Sequence, residues 1–388
     1  MKILAVVHEY PPIGGGAGMV LEALCGQLAH KGHEIDVVTA AFEGLPEREE
    51  HEGVCIHRIP SGRKRQIAPS VGELFGYVRQ AAPCALEMLR RSEYDVIYGT
   101  CILPAGWVAR SLHRQTGLPY ALTTSGSDVP GHNPKKFGLL HRLMLPLWRR
   151  VVRDCAVLTC QSEYLAGRIR HAYGSQPPCL QVIPNGIDTG SMTPRPQGER
   201  TRRFLAVGRI EKAKGYQYLI QAMVGLDPDW ALEIVGDGPY LPALKALARE
   251  LGVPVTFHGW VDKAGGKLRE LYETSSVFVH PSLAENFPTV VLEAMVAGLP
   301  LVTVEGTGAS EVAGDAAVKV PACNAQSLKM TLERLCSEPQ LREHLGRLAH
   351  TRVVEQFSWD RAAGEYAHAL ADASKAPTAH LGSPRGAG

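Results

Sequence analysis

Residues 277–304 read VFVHPSLAENFPTVVLEAMVAGLPLVTV: an apolar strand, a turn, a helix and a second apolar strand. A buried strand that passes through a helix into another buried strand is a crossover unit, and such units build parallel sheets. Pro288 reads as the first helical residue, because its fixed φ suits that position and its missing N–H is not needed there. The amides of Thr289 and Val290 then point out of the helix start without intrahelical partners. With the positive end of the helix dipole they make an anion site, best suited to a phosphate. Helical side chains lean toward the N-terminus, so Glu293 reaches back toward that site. Glu285, in the preceding loop, approaches from the other side. A phosphate flanked by two carboxylates, each able to accept hydrogen bonds from paired hydroxyls, describes a sugar nucleotide.

The same alternation extends outward. In the C-terminal half it runs through RFLAVGR (203–209), ALEIVGDG (231–238), PVTFHGW (254–260) and AVKV (317–320), with helical patterns near 215–225, 239–251 and 263–275. In the N-terminal half ILAVV (3–7), DVVTA (36–40), CIHRI (55–59), DVIYGT (95–100), YALTTS (120–125), AVLTCQS (156–162) and CLQVI (179–183) follow one another. Helical patterns lie near 17–31, 72–91, 104–116 and 137–153. Apolar runs separated by helices predict parallel sheets covered on both faces. The stretch TGSMTPRPQGERTRR (189–203) breaks the pattern with prolines, glycines and charge, and is the expected linker. The fold class is therefore α/β, with two Rossmann-like doubly wound domains at 1–190 and 204–357 joined by a linker at 191–203. Helices near 325–356 and 358–373 follow. The tail 374–388, without aromatics and rich in Gly, Ala, Pro and Ser, is expected to be disordered.

At 388 residues, 45% hydrophobic and 21% charged, the chain has the size of two domains and the composition of a globular protein. A net charge of +2 argues against nucleic acid as the main ligand. Nine cysteines without a CxxC pair read as thiols in a reducing cytosol, so a cytoplasmic location is expected. No apolar run reaches the roughly 18–20 residues of a membrane span. The start MKILAVVHEY reads as a first buried strand rather than a signal peptide.

Further motifs fall at strand ends. YPPIGGGAGMV places glycines at 14–16, which serve either a plain turn or the close approach of a ligand to amides at a helix start. The spacing GGGxG is not GxGxxG, which argues against a nicotinamide oxidoreductase. In VGRIEKAKG (207–215), Arg209 and Lys214 can converge on a diphosphate and neutralise a departing nucleotide, with Lys212 a solvated bystander. VGDGP (235–239) is a strand end and turn whose backbone at Gly236 shapes a nucleotide pocket. In TTSGSDVPG (123–131), Asp128 is either a turn cap or a functional carboxylate. Residues 135–153, KKFGLLHRLMLPLWRRVVR, hold six Lys/Arg and no acid. They read as a core-facing helix with a basic outer face, and alternatively as a peripheral membrane contact.

The pattern E-x7-E followed by A-M-x-A-G-x-P (285–300), with G-R-x-x-x-x-K-G (208–215), resembles the donor site of retaining GT-B glycosyltransferases of the family-4 type (glycosyl transferases group 1). The resemblance runs from the Gly turn at 14 to FSW at 357–359. It implies two domains facing across a cleft, with the last helix, 358–373, packing back on the N-terminal one. It implies that Glu293 holds the ribose hydroxyls and Glu285 contacts the donor sugar. Arg209 and Lys214 would bind the diphosphate, Gly15 and Gly16 would face the donor phosphate and the acceptor, and the base would lie against backbone near Val261. Asn286, Phe287, Thr289 and Val290 complete the implied donor contacts. The implied catalytic set is Glu285, Arg209, Lys214, Asp128 and Ser125. Relatives carry His-Gly-x-Asp where this chain has Ser125 and Asp128, so the sugar contact of that His passes to Ser125, Ser127 or His132.

The implied enzyme is a hexosyl- or N-acetylhexosaminyltransferase of polysaccharide or glycoconjugate biosynthesis. Its donor is a nucleotide-sugar, a UDP-sugar ahead of a GDP-sugar. Its acceptor is a glycan, a lipid-linked molecule or a small molecule, and the product is α-linked. No cofactor is expected, and no metal, because no D-x-D stands at a strand end. The alternatives are a noncatalytic partner subunit that keeps the fold, and a nucleotide-sugar epimerase.

Overall fold

The computed structural model describes residues 1–67, 69–131, 134–177, 179–262 and 265–376. His132 and most of the expected disordered tail, 377–388, lie outside them. The chain divides into two compact units: Met1–Gly186 with the segment from Trp359 onward, and Ile187–Ser358.

The first unit contains strands β1 (Lys2–Val6), β2 (Glu34–Ala40), β3 (Arg48–His51), β4 (Val54–Ile59), β5 (Val96–Thr100), β6 (Tyr120–Thr123), β7 (Val157–Cys160) and β8 (Leu180–Val182). Its helices are α1 (Gly16–His30), α2 (Val71–Arg91), α3 (Ala105–Thr116), α4 (Pro134–Arg153) and α5 (Glu163–Tyr173). The strands form one sheet in the order β3-β4-β2-β1-β5-β6-β7-β8. All its pairs are parallel except β3 with β4. Side chains alternate along each strand, so the inner strands of the sheet feed two cores. Leu4 and Val6 face Tyr77 of α2, Val108 of α3 and Trp148 of α4. Ile3 and Ala5 face Leu21 and Leu24 of α1 and, from the C-terminal segment, Ala363, Tyr366 and Leu370.

The second unit holds β9 (Arg203–Val207), β10 (Ala231–Val235), β11 (Val255–Gly259), β12 (Val277–His280), β13 (Leu301–Val304) and β14 (Ala317–Val320). Between and after them lie α6 (Tyr216–Ala222), α7 (Leu241–Glu250), α8 (Lys267–Thr274), α9 (Thr289–Val296), α10 (Gly308–Ala313), α11 (Ala325–Ser337) and α12 (Pro339–Gln356). The sheet order is β11-β10-β9-β12-β13-β14, parallel throughout. Phe204 and Ala206 pack on one face with α6, α7 and α11, while Leu205 and Val207 pack on the other with α8, α9 and α12. The final helix, α13 (Trp359–Ser374), belongs to the first unit.

The structure departs from the sequence reading in four places. β3, with the sequence REEH, has no apolar alternation; it forms as a hairpin arm because Glu52 and Gly53 both adopt positive φ, the primed-turn geometry. The short helices α5 and α10 were not expected from the sequence. The single helical stretch near 325–356 is two helices, since Pro339 cannot continue α11 and instead starts α12. The stretch 191–203, expected as the linker, lies within the second unit. Its Arg200 is buried and donates to the carbonyls of Tyr272 (3.3 Å), Ser275 (3.0 Å) and Ala297 (2.6 Å), binding the segment to the ends of α8 and α9. The chain passes between units at Gly186–Ile187 and at Ser358–Trp359.

Candidate active site

In the second unit the loops after β9 and β12 are locked together by backbone. Gly215 has φ +75°, and a Cβ there would lie 2.0 Å from the Pro281 carbonyl oxygen. Leu283 N–H donates to the Ala213 carbonyl at 2.9 Å. This contact sets Lys214, at the end of the turn Lys212–Lys214, against the loop that carries Glu285. The Lys214 ammonium donates to Glu285 Oε1. His280, buried at the end of β12, reaches the same oxygen at 3.1 Å and stacks on Phe278 with the rings 9° from parallel. Burial alone would raise the Glu285 carboxyl; His280 and Lys214 outweigh it and hold the pKa at about 2. Glu285 is thus an ionised acceptor at neutral pH, suited to receive sugar hydroxyls rather than to donate a proton.

Pro288 is the N-cap of α9, with ψ 117°, so Thr289 rather than Pro288 is the first helical residue. The extended ψ of Pro288 keeps it outside the helix by one position. The Val291 N–H returns to the Pro288 carbonyl at 3.1 Å. Thr289 and Val290 hold the first two helical positions, where amides have no intrahelical carbonyl to meet. One turn on, Glu293 Oε2 accepts from the hydroxyl of Tyr272 at 2.8 Å. Tyr272 lies buried in α8, and burial together with the Glu293 carboxylate drives its hydroxyl pKa far up, so it remains a donor. Neither His280 nor Tyr272 was singled out in the sequence. His280 sat in the quoted run VFVH, and Tyr272 carried no signal beyond an apolar helix face.

The other expected donor residues divide by role. Gly236 has φ +135°, and a Cβ there would lie 2.0 Å from the Gly208 carbonyl oxygen, so the ends of β9 and β10 meet through backbone alone. Val261 follows β11 and packs partly buried beside the core. Phe287 meets Phe357 edge-on at 5.7 Å, a packing contact. The loop at Asn286 lies against the start of α10, where Gly308 N–H donates to the Glu285 carbonyl at 2.9 Å. Arg209 is exposed and pairs with Glu211 at 3.2 Å, whereas Lys214 pairs with Glu285; the two cations do not share a partner.

In the first unit, α1 begins at Gly16 with Gly15 as its N-cap, and a Cβ at either position would meet nothing within 4 Å. Behind this turn the buried Arg63 side chain donates to Glu9 Oε1 (2.9 Å) and to the carbonyls of His8 (3.3 Å), Arg65 (2.6 Å) and Gln66 (3.1 Å). Gln66 in turn accepts from Gly14 N–H at 2.8 Å. Burial holds His8 at about 4, so its ring is neutral. Asp128 accepts from Thr124 Oγ1 (2.6 Å) and from Ile102 N–H (2.5 Å), tying the loop after β6 to the loop after β5. Burial raises its carboxyl despite these donors. These bonds give Asp128 a structural role in joining the two loops, not that of a cap on the turn that follows it. Ser125 and Ser127 are exposed on the same turn. On α4, Trp148, Val151 and Val152 are buried, while Leu139, Leu140 and Leu143 are exposed. Among the described residues no helix is long and apolar enough to cross a membrane. A group of side chains with metal-holding spacing, Asp36, Cys55 and His57, lies in the first unit and includes none of these residues.

Two parallel α/β units of this kind define the GT-B class, and solved structures share the whole fold. Sucrose-phosphate synthase from Thermosynechococcus elongatus superposes with a TM-score of 0.81 at 21% identity, covering 95% of this chain and 98% of its own. HepE of Anabaena, in complex with UDP, gives 0.77 at 20% identity, with 96% and 100% covered. Family models match in succession: Glycosyltransferase Family 4 over residues 14–191 and Glycosyl transferases group 1 over residues 193–352. The chain belongs to this family of GT-B glycosyltransferases. An uncharacterized glycosyltransferase of Methanocaldococcus jannaschii is 29% identical, over 94% of this chain and 96% of the relative. A GDP-mannose-dependent alpha-(1-6)-phosphatidylinositol monomannoside mannosyltransferase of Mycolicibacterium smegmatis is 24% identical over 92% and 95%.

Proposed function

We propose that this glycosyltransferase moves a hexosyl or N-acetylhexosaminyl group from a nucleotide-diphosphate sugar to a glycan, lipid-linked or small-molecule acceptor, with retention and an α-linked product. The carrying observation is the Lys214–Glu285–His280 cluster beside the start of α9, with Glu293 fixed by Tyr272. In this reading the amides of Thr289 and Val290 hold a phosphate and Glu293 takes the ribose hydroxyls. Glu285, kept ionised, accepts from the sugar hydroxyls. Lys214, joined by Arg209, stabilises the negative charge that gathers on the departing diphosphate. Same-face attack fits this set, with a leaving phosphate oxygen taking the acceptor proton. The open start of α1 at Gly15 and Gly16 is assigned to phosphate or acceptor groups, with Ser125 and Asp128 on the acceptor side.

A UDP-sugar is the first choice of donor, in keeping with the HepE structure that holds UDP, and a GDP-sugar the second, in keeping with the GDP-mannose-dependent relative. The exposed leucines on basic α4 support peripheral contact with an anionic membrane that carries a lipid-linked acceptor. The test is a plate of UDP-, GDP- and ADP-sugars, read for thermal shift and for nucleotide release, with EDTA present throughout. Release of one nucleotide in EDTA supports the reading. Binding without release indicates a noncatalytic subunit, an epimerised sugar nucleotide indicates an epimerase, and activity restored by Mg²⁺ or Mn²⁺ overturns the metal-free chemistry.

A further inference from the structure

The edge of the first sheet carries a side-chain cluster that donor chemistry leaves unused. Asp36 on β2 is the register partner of Cys55 on β4, and Val38 that of His57. Asp36, Cys55 and His57 therefore project from one face of the sheet. Their donor atoms all lie within 4.8 Å of one another. A single atom, His57 Nε2, faces both partners, Asp36 Oδ1 at 3.1 Å and Cys55 Sγ at 3.4 Å. A tetrahedral zinc ion, with bonds of about 2.0–2.3 Å, separates nitrogen from oxygen by about 3.4 Å and sulfur from nitrogen by about 3.6 Å. The two edges at His57 need to open by only a few tenths of an ångström.

The surroundings fit an ion as well. Tyr94 Oη donates to Asp36 Oδ2 at 2.8 Å and leaves Oδ1 turned to the cluster, the outer bond that orients a ligating carboxylate. All three residues are half-buried, which leaves a path from solvent. Glu50 on β3 is the register partner of Cys55 from the other side, so the fourth position falls to Glu50 or to water. The competitor is Arg48, whose Nε lies 3.4 Å from Cys55 Sγ. Arg48 is exposed on the edge strand and free to swing outward.

We propose that Asp36, Cys55 and His57 form a metal site for Zn²⁺, which pins β4, the strand next to the sheet edge, to β2. A mixed S, N and O set selects a borderline-soft ion over Mg²⁺ or Ca²⁺. The site lies toward the amino ends of β2 and β4, whereas the Gly-rich turn leaves the carboxyl end of the parallel neighbour β1, so the ion is structural.

The test uses the whole protein, stripped with chelator, dialysed, and titrated with Zn²⁺ or Co²⁺ alone. Expected are one equivalent of Zn²⁺ bound with a rise in Tm, and a thiolate-to-cobalt charge-transfer band. That band disappears in Cys55→Ser, and Tyr94→Phe weakens binding by about 10- to 100-fold. Absence of stoichiometric Zn²⁺ binding by the wild type would overturn the proposal, as would Co²⁺ bound without the thiolate band. Both of those readings come from the unaltered chain, so they stand even where a variant misfolds. An unchanged band in Cys55→Ser would place the metal on another thiol and overturn it too.

Discussion

The two units share an architecture but prepare their strand ends in opposite ways. In the second, side chains carry the site: Lys214 and His280 close on Glu285, and Tyr272 closes on Glu293. In the first, the strand-end turn is bare glycine, and the polar side chains stand behind it: Arg63 stitches residues 8, 9, 65 and 66, and Asp128 ties two loops together. At these strand ends the second unit pairs charged side chains with one another. Charge in the first is spent on the protein's own backbone.

Mutations separate these two uses of charge, beginning with the largest effect. Lys214→Ala should lower kcat/KM by about 10²–10³-fold, the scale of one lost transition-state donor, with a smaller loss of stability than Arg63→Ala because His280 still pairs with Glu285. Arg63→Ala should do the reverse. Removing one partner of a buried pair costs about 3–5 kcal/mol of stability, seen as a large fall in the urea midpoint, while nucleotide affinity of the folded fraction holds. If Lys214→Ala unfolds the chain, or Arg63→Ala is neutral, the contrast between the units fails.

A pH profile sharpens the same contrast. Glu285 sits at about 2 against an ordinary value of 4.5. Its ionisation therefore stabilises the folded chain fully above pH 4.5, and that contribution is lost as the pH falls toward 2. His280→Ala removes one of the groups that holds it down, so Glu285 rises toward its ordinary value; the acid-side loss of stability should shrink, and the acid limb of turnover should move to higher pH. An unmoved acid limb would show that His280 does not act through Glu285. The smallest effect is expected for Tyr272→Phe, which deletes one hydrogen bond to Glu293. At about 0.5–1.5 kcal/mol it should weaken nucleotide binding roughly 2- to 10-fold by calorimetry.

The difference between the units also explains what the sequence could reveal. The parallel sheets were legible because each strand is an apolar run bounded by helices, and the Glu285 to Glu293 spacing was legible because it spans one local turn and helix. His280 shares that local stretch, yet an apolar strand ending in His looks like any strand until the loop folds back on it. Tyr272 and Arg63 act across long sequence separations, through bonds that no spacing encodes. Linker and strap look alike in composition, so 191–203 read as a linker although Arg200 ties it to the ends of α8 and α9. β3 stayed hidden because a hairpin made by Glu52 and Gly53 needs no apolar pattern on its outer arm.

The central claim, that Glu285 serves the sugar and Glu293 the nucleotide, is tested most directly by calorimetry of both Ala variants with UDP and GDP, alongside donor turnover. Glu293→Ala should weaken the nucleotide that binds by about 10- to 100-fold, the worth of hydrogen bonds to a charged group. Glu285→Ala should keep nucleotide affinity near wild type and lose about 10²-fold in transfer. Both variants binding nucleotide as tightly as wild type, with transfer intact, would contradict the account.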